Sequence, residues 1–252
     1  MILGAFFGAS LNGFISFGSS IHLLSSQFSG KSVTVFRSPL TYNSIAQLTA
    51  NFGNNDFRVI DARRLKKETI NVKSFVKLFE VVGCVNASFF SNKNDPIGLI
   101  LSRGKILNPL HESKGSIKNI FAVTMRGFYA GTANVNFPTD SIEAIQTGHT
   151  FSSTNEFAEK FRKFYHAISI LCISKSGKQL TALSSLGLIA NKNVVKIIKA
   201  MDCNTIITMD GGRSSSLWFK FGDSAVGVNE LAYVPVIFCV LPKQNLLVRL
   251  NK

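Results

Sequence analysis

The chain has 252 residues and a formal net charge of +14, with 46% hydrophobic and 17% charged residues. This length supports one sizeable hydrophobic core, and the composition excludes an intrinsically disordered chain. The basic residues are scattered and form no RNA-binding or zinc-finger motif, so they favour a solvated basic surface that attracts anionic ligands.

The first 28 residues contain no Lys, Arg, Asp or Glu. They are similar to the apolar part of a secretory signal but lack its positively charged start, and polar residues interrupt them too often for a membrane-spanning helix. The alternative is that residues 1–28 form the first strands, with Asn12-Gly13 as a hairpin turn. Residues 29–252 are expected to form a single domain.

After this segment, short apolar runs alternate with turn residues. Strands are predicted at 31–37, 57–62, 97–101, 105–107, 117–125, 127–133, 142–146, 167–173, 179–183 and 234–241. Residues 41–55 are polar and predicted to be irregular, and residues 155–164 are predicted to form a helix. The predicted fold is therefore α+β, a single domain with a mixed β-sheet and a few amphipathic helices packed on it.

Two segments share one layout: an amphipathic helix, a short strand and a polar side chain at the end of the strand. The first runs from a helix cap at Asn71 past a stop at Gly83 to Asn86, and the second from a cap at Asn193 to Asp210. Apolar residues recur at helical spacing in both, at 72, 75, 76 and 79 and at 194, 197, 198 and 201. Such units bring strand-end groups to one rim, so Asn86 and Asp210 are predicted to converge. The alternative is a chance match, since a helix followed by a strand is common.

The second unit ends in an acid beside two glycines, Asp210-Gly211-Gly212, followed by Arg213 and three serines. Glycines let the backbone approach a ligand closely, and the hydroxyls, backbone N–H groups and guanidinium are all donors. The local alternative is a two-residue β-hairpin, for which Asp-Gly is a strong signal.

Five segments in this order resemble the phosphodiester glycosidase family. They are VNASFF at 85–90, PIGLILSRGKI at 96–106, AIQTGHTF at 144–151, MDGGRSSSL at 209–217 and AYVPVIFCV at 232–240. The resemblance implies a mixed α+β domain that cleaves a sugar, N-acetylglucosamine among the options, from a sugar-1-phosphodiester. Because enzymes of this family commonly work outside the cytosol, it also favours export over the alternative for residues 1–28.

The chain departs from the family pattern at several positions. An Arg-Thr-Ala tripeptide is replaced by Tyr165-His166-Ala167, the third glycine of the signature by Arg213, and the glycine after Asn86 by Ala87. A guanidinium binds phosphate bidentately, so Arg213 is a candidate to supply phosphate contact.

A phosphodiester leaving group is already acidic, so cations and N–H donors can serve where other glycosidases need a general acid. Asp210 is therefore the candidate main carboxylate, with Glu230 and His166 as further catalytic candidates. Predicted substrate-binding residues are Asn86, His149, Gly211, Gly212, Arg213, Ser214 and Ser215. A lone histidine or an acid before a strand is more often structural, which ranks His149, His166 and Glu230 below Asp210.

No cofactor is expected, and a divalent cation at Asp210 and Asn86 has no further ligand spacing to support it. The four cysteines, Cys84, Cys172, Cys203 and Cys239, lie in apolar runs without metal-ligand spacing, so buried free thiols are the default prediction. A Cys84–Cys203 disulfide is the alternative, since the two occupy matching places in the two halves.

Two further functions remain open from the sequence. One is a catalytically inactive glycan- or phosphate-binding module of the same fold, which the absent family arginine at Tyr165 favours. The other is a basic binder of nucleic acid or an anionic surface, which would show a steep dependence of affinity on salt. The expected partner is a sugar-phosphodiester or anionic glycan, with no nucleic acid and no stable membrane span.

Overall fold

The computed structural model of the protein describes residues 22–28, 31–37, 44–112, 115, 117–133, 137–161, 166–186, 191–201 and 203–243. Tyr165 and residues 1–21, including the predicted turn at Asn12-Gly13, lie outside the described residues. Residues 22–28 form a strand that pairs with residues 31–37.

The described part of the chain is rich in β-structure. Its strands are β1 His22–Phe28, β2 Lys31–Arg37, β3 Ser44–Asn51, β4 Asn55–Asp61, β5 Ile70–Asn71, β6 Gly83–Asn86, β7 Ile100–Ser102, β8 Lys105–Asn108, β9 Asn119–Thr124, β10 Phe128–Thr132, β11 Ser141–Thr147, β12 Thr150–Phe151, β13 Ser169–Ile173, β14 Gln179–Leu186, β15 Thr205–Thr208, β16 Leu217–Phe221, β17 Ser224–Val228, β18 Tyr233–Val234 and β19 Val236–Pro242. Its α-helices are α1 Val72–Leu78, α2 Thr154–Phe161 and α3 Asn191–Ala200.

The strands form four sheets. A seven-stranded sheet has the order β1-β2-β3-β14-β13-β15-β12, and two five-stranded sheets have the orders β10-β9-β11-β7-β8 and β17-β16-β6-β19-β4. β18 and β5 form the fourth sheet. The α+β class is correct in coarse terms, but the fold is β-rich, and the described strand pairs are all antiparallel rather than forming one mixed sheet.

One hydrophobic cluster joins the three large sheets. Leu48 and Leu171 come from the seven-stranded sheet, Phe121 from the second sheet, and Val85 and Phe238 from the third, and all are buried. The phenylalanine rings pack edge to face, with the centroids of Phe121 and Phe238 5.2 Å apart, a geometry that aromatic pairs prefer. Because the sheets share one core, the strand ends of different sheets are held at fixed positions relative to one another.

The helices cover two sides of this core. The Asn71 side chain caps α1 by accepting a hydrogen bond from the Ser74 N–H, as predicted, and α1 packs against β16. Its last turn ends at Leu78, however, and Gly83 begins β6 rather than stopping the helix. On the other side α2 packs against α3. α3 begins at Asn191, so the predicted cap at Asn193 is wrong.

Residues 44–51 correct another prediction, because they form β3 within the region predicted to be irregular. β3 pairs with β14 along its whole length, from Asn51 opposite Gln179 to Ser44 opposite Leu186. Among the described residues, no helix has the length and apolar character needed to cross a membrane.

The cysteines form two disulfides, Cys84–Cys239 and Cys172–Cys203, and none of the four is a free thiol. Both the default prediction of buried thiols and the alternative Cys84–Cys203 pairing are therefore wrong. Cys84 and Cys239 lie directly opposite each other on the neighbouring strands β6 and β19. Cys172 lies on β13, next to the strand that Cys203 precedes.

Candidate functional site

The ends of β6 and β15 meet, although the two strands belong to different sheets. Asn86, the last residue of β6, donates a hydrogen bond of 2.7 Å from Nδ2 to the backbone carbonyl of Asp210, which lies 124 positions further along the chain. The predicted convergence of Asn86 and Asp210 is thereby confirmed.

The Asn86 side chain is occupied by the protein itself. Its Oδ1 accepts the Ser169 hydroxyl at 2.6 Å and the Ser216 N–H at 3.0 Å, and the residue is 1% exposed. Asn86 therefore joins three segments: β13 of the seven-stranded sheet, the start of β16 in its own sheet, and the Asp210 turn. This arrangement makes it a positioning residue for the turn.

The segment after β15 is a tight turn. Gly212 has φ +62°, in the left-handed region that favours glycine, and begins a single turn of 3₁₀-helix over Gly212–Ser214. The Gly212 N–H donates to the Ala167 carbonyl at 2.8 Å. β15 and β16 lie in different sheets, so the alternative interpretation of this segment as a β-hairpin is wrong.

Asp210 is half-buried at the start of this turn. Burial raises the pKa of its carboxyl, because a charged carboxylate is poorly solvated there, while hydrogen bonds from the Ser214 hydroxyl and the Gly211 N–H partly oppose the rise. A carboxyl with a raised pKa in a cleft is a sign of a functional site.

A pocket of about 290 Å³ opens beside Asp210. It is lined by Phe89, Gly148, His149, Phe157, Lys160, His166, Ile168, Ser169, Ile170, Thr208, Met209 and Gly211. Met209 and Gly211 are the two chain neighbours of Asp210, so Asp210 lies next to the wall without being one of the lining residues. The volume is at the lower end of the range for small-molecule sites, which suits a ligand the size of one sugar ring.

Another part of the wall comes from the turn Thr147-Gly148-His149, of which Gly148 and His149 line the pocket. Gly148 donates from its N–H to the Thr208 carbonyl at 2.9 Å, and its own carbonyl accepts Asn119 Nδ2 at 2.6 Å. A Cβ on Gly148 would stand 2.6 Å from the Thr208 hydroxyl oxygen and 3.3 Å from Phe89 Cζ, so only glycine allows this approach. The turn therefore fixes His149 beside the strand that leads to Asp210.

His149 contacts a cation of helix α2. Lys160 Nζ lies 3.3 Å from His149 Nδ1. The pKa of His149 is lowered, first by burial and then by the positive charges of Lys160 and Lys118. A lysine ammonium has donors only, so Nδ1 accepts, and the proton of the neutral imidazole resides on Nε2.

His166 lies on the wall that Asp210 borders. His166 is half-buried. Its Cδ2 atom would lie 3.9 Å from a Cβ atom added to Gly211, so the two residues are neighbours. Four predicted site residues are thus gathered at one place: Asp210, Gly211, His149 and His166.

Other predicted residues lie away from the pocket lining. Glu230 is exposed and forms an ion pair with Lys73 at 2.5 Å, on the side covered by α1. Arg213 is exposed, and its backbone carbonyl accepts Asn229 Nδ2. Ser215 is fully buried, and its hydroxyl has no hydrogen-bond partner among the described residues.

The sequence did not indicate Lys160, Phe89 or Thr208 as site residues. Lys160 follows Phe157 by three positions on α2, a spacing that puts both at one face of a helix, but an exposed lysine in a helix is common on any protein surface. Thr208 is one of several threonines in strands. Neither Lys160 nor Thr208 lies in a sequence pattern that distinguishes it from other lysines in helices or other threonines in strands.

Within the described residues, no three His, Cys, Asp or Glu side chains are grouped as metal ligands would be. At the position considered for a cation, Asn86 Oδ1 already accepts two hydrogen bonds.

Three comparisons place the chain among known proteins. The phosphodiester glycosidase (NAGPA) family model matches residues 79–241. A search of curated proteins gives no match. Among solved structures, the catalytic domain of zebrafish N-acetylglucosamine-1-phosphodiester alpha-N-acetylglucosaminidase, auto-inhibited by its pro-peptide, superposes with a TM-score of 0.60 at 15% identity, over 94% of this chain and 87% of that one.

A hypothetical protein from Synechocystis has a TM-score of 0.50 at 11% identity, over 88% of this chain and 62% of that one. Similarity at these identities concerns the fold alone. The family match covers well over half of the chain and includes the Asn86 and Asp210 segments. This chain therefore belongs to the phosphodiester glycosidase family.

Proposed function

We propose that the protein is a hydrolase that cleaves a sugar from a sugar-1-phosphodiester. The observation that carries the proposal is the position of Asp210 between two residues of a pocket wall, in a pocket whose lining, among the described residues, contains a lysine and two histidines and no carboxylate. Such a lining suits an anionic ligand, and the zebrafish protein of similar fold is named for action on an N-acetylglucosamine-1-phosphodiester.

In the proposed reaction the bond between the anomeric carbon and the phosphate oxygen breaks, and a water oxygen bonds to the anomeric carbon. The products are the free sugar and a phosphate monoester, which takes one proton of the water. The ionised Asp210 carboxylate stabilises the positive charge that develops on the sugar ring, and the hydrogen bonds of Ser214 and Gly211 orient it.

The leaving group needs little protonation because a phosphate monoester is a weak base. The lining cations can therefore replace the general acid of a two-carboxylate glycosidase. His166, beside Gly211, is a candidate to contact the leaving oxygen. Asn86 acts through the Asp210 turn that it holds rather than through sugar contact.

A turnover assay tests this proposal. The purified protein is incubated with a panel of sugar-1-phosphodiesters, N-acetylglucosamine-1-phosphodiesters among them, and both free sugar and phosphate monoester are measured. We expect equal release of both products, reduced at least about 100-fold in Asp210→Asn, the scale of one transition-state-stabilising group. Asp223→Asn is the matched control, because Asp223 is exposed in the turn between β16 and β17 and should leave the rate unchanged.

A second candidate function is a binding module for glycan phosphates that has no turnover. No carboxylate lines the pocket within the described part of the chain, and Glu230 is paired to Lys73 elsewhere, which favours this alternative. This alternative predicts that the protein binds a sugar phosphate but releases no sugar from any member of the panel, an outcome that would overturn the hydrolase proposal.

We also propose that the protein works outside the cytoplasm. Two disulfides suit an oxidising compartment, because cytosolic thiols are generally kept reduced. Alkylation of the unfolded protein isolated from its native compartment should modify none of the four cysteines unless a reductant is added first. Four alkylated cysteines without reductant would contradict the proposal.

A further inference from the structure

His149 is influenced by two lysines that come from different parts of the fold, one of which contacts it. Lys160 approaches it from helix α2, with Nζ 3.3 Å from His149 Nδ1. Lys118 immediately precedes β9, whose first residue, Asn119, holds the Gly148 carbonyl through a 2.6 Å hydrogen bond. Lys160 and His149, which can both donate to an anion, thus lie together in the pocket lining, whereas Lys118 does not line the pocket.

The position of Lys160 is built into the packing of α2. Phe157, one helical turn earlier, is buried and packs edge to face against Phe151 at 5.4 Å. Phe157 and Lys160 both line the pocket, so the buried ring anchors the helix face that presents the ammonium group. His149 is fixed independently by its turn, since its N–H donates to the Thr208 hydroxyl oxygen at 2.8 Å.

The positive charge of these lysines is not neutralised locally by the acids of α2. Glu156 accepts hydrogen bonds from the Ser152 N–H and hydroxyl at the start of the helix, and neither Glu156 nor Glu159 lines the pocket. The described ion pairs of the protein do not include Lys160 or Lys118. The Lys160 ammonium group and the Nε2–H of His149 are therefore available to an anion that enters the pocket.

We propose that Lys160 and His149 form the subsite that binds the phosphate of the substrate's leaving group and selects for an anionic aglycone. This inference rests on the proposed hydrolase function and deepens it, because it assigns the two ends of the substrate. The sugar lies on the Asp210 and Gly211 side, and the phosphate lies on the His149 and Lys160 side. Lys160 supplies a charge-assisted hydrogen bond.

The test is a binding measurement that needs no turnover. Titration calorimetry measures the affinity of the wild-type protein and its variants for inorganic phosphate and for the neutral free sugar. We expect Lys160→Gln to weaken phosphate binding roughly 10- to 100-fold, the range for loss of a hydrogen bond to a charged group, and to leave sugar binding unchanged. Lys160→Arg should restore most of the phosphate affinity, since it keeps the charge.

Lys175→Gln is the matched control, because it removes the same charge from an exposed turn at the far end of β13. Equal phosphate affinity in Lys160→Gln and Lys175→Gln would overturn the subsite, because the general basic charge would then explain binding. So would an equal loss of sugar and phosphate affinity in Lys160→Gln.

Kinetics separate this inference from the hydrolase proposal. If the protein releases sugar and Lys160→Gln leaves its KM unchanged, the subsite assignment is wrong and the hydrolase stands. If phosphate binding depends on Lys160 and no sugar is released, the subsite stands as that of a binding module and the hydrolase proposal is wrong.

Discussion

Asn86 and Asp210 occupy matching places at the ends of β6 and β15, but the protein uses their side chains differently. The Asn86 amide is 1% exposed and bonded to the Asp210 carbonyl, the Ser169 hydroxyl and the Ser216 N–H. Asp210 is half-buried between two residues of the pocket wall, and burial raises the pKa of its carboxyl. Asn86 connects segments of the fold, whereas Asp210 carries an ionisable group whose charged form is poorly solvated.

The comparison shows that two similar helix–strand units can have different roles: one positions a turn, and the other carries an ionisable side chain. A neutral amide can donate and accept at once, so it can join several backbone segments without the cost of burying a charge. A carboxylate is destabilised by even partial burial, which in our proposal favours its interaction with a developing positive charge. Substitutions at the two positions should therefore separate stability from activity.

The largest effect on stability is expected from Asn86→Ala. The change removes three hydrogen bonds and leaves the buried Ser216 N–H and Ser169 hydroxyl with fewer partners. We expect the free energy of unfolding to fall by about 3 kcal/mol, since each unsatisfied buried group costs about 1–3 kcal/mol. Urea unfolding followed by circular dichroism, with the disulfides intact, measures it.

Asn204→Ala serves as the control for this prediction, because Asn204 is exposed and should change stability by no more than about 0.5 kcal/mol. If Asn86→Ala were as stable as Asn204→Ala, Asn86 would not be the joint between the segments that meet at the Asp210 turn.

A smaller effect on stability is expected from the titration of Asp210. Its folded-state pKa is raised by burial, so between the ordinary carboxyl pKa and the raised value the native state binds more protons than the unfolded state. The free energy of unfolding contributed by this group therefore falls as pH rises through that window. Asp210→Asn lacks this titration. The unfolding free energy of the variant relative to the wild-type protein should therefore rise as pH rises over the same range.

The titration of Asp210 should also change the rate of the proposed reaction. Because the ionised carboxylate is the active form in our proposal, kcat should decline as pH falls, with a midpoint above the ordinary aspartate pKa. A pH profile of kcat that stays flat down to the ordinary pKa would exclude Asp210 as the group whose ionisation limits the rate.

The smallest effect is expected from Glu230→Gln. Glu230 and Lys73 form an exposed pair, with 60% and 39% of their side chains accessible, and such pairs contribute about 0–1 kcal/mol. Both the free energy of unfolding and kcat/KM should stay close to those of the wild-type protein. A large loss of kcat/KM in a stable Glu230→Gln protein would return Glu230 to the catalytic candidates.

Parts of this architecture could be predicted because they depend on local periodicity. The cap at Asn71, the hairpin of β7 and β8, and the meeting of Asn86 with Asp210 follow from helical spacing, turn residues and strand ends. These features need no knowledge of which strand lies beside which.

Other parts depend on register between distant strands, which no local pattern contains. Cys84 is bonded to Cys239 because β6 and β19 are neighbours in register, a relation over 155 positions. Similarly, β3 alternates weakly between apolar and polar residues, and its pairing with β14 rather than its own sequence makes it a strand. Lys160 reaches His149 only because α2 packs beside β12.

The central claim is that Asp210 supplies the chemistry and Asn86 holds it in place. The most direct test measures the turnover of a sugar-1-phosphodiester and the free energy of unfolding on the same preparations of the wild-type protein and Asp210→Asn. We predict a variant that is at least as stable as the wild-type protein at neutral pH and about 100-fold or more slower. A variant that is equally stable and still turns over at the wild-type rate would contradict the claim.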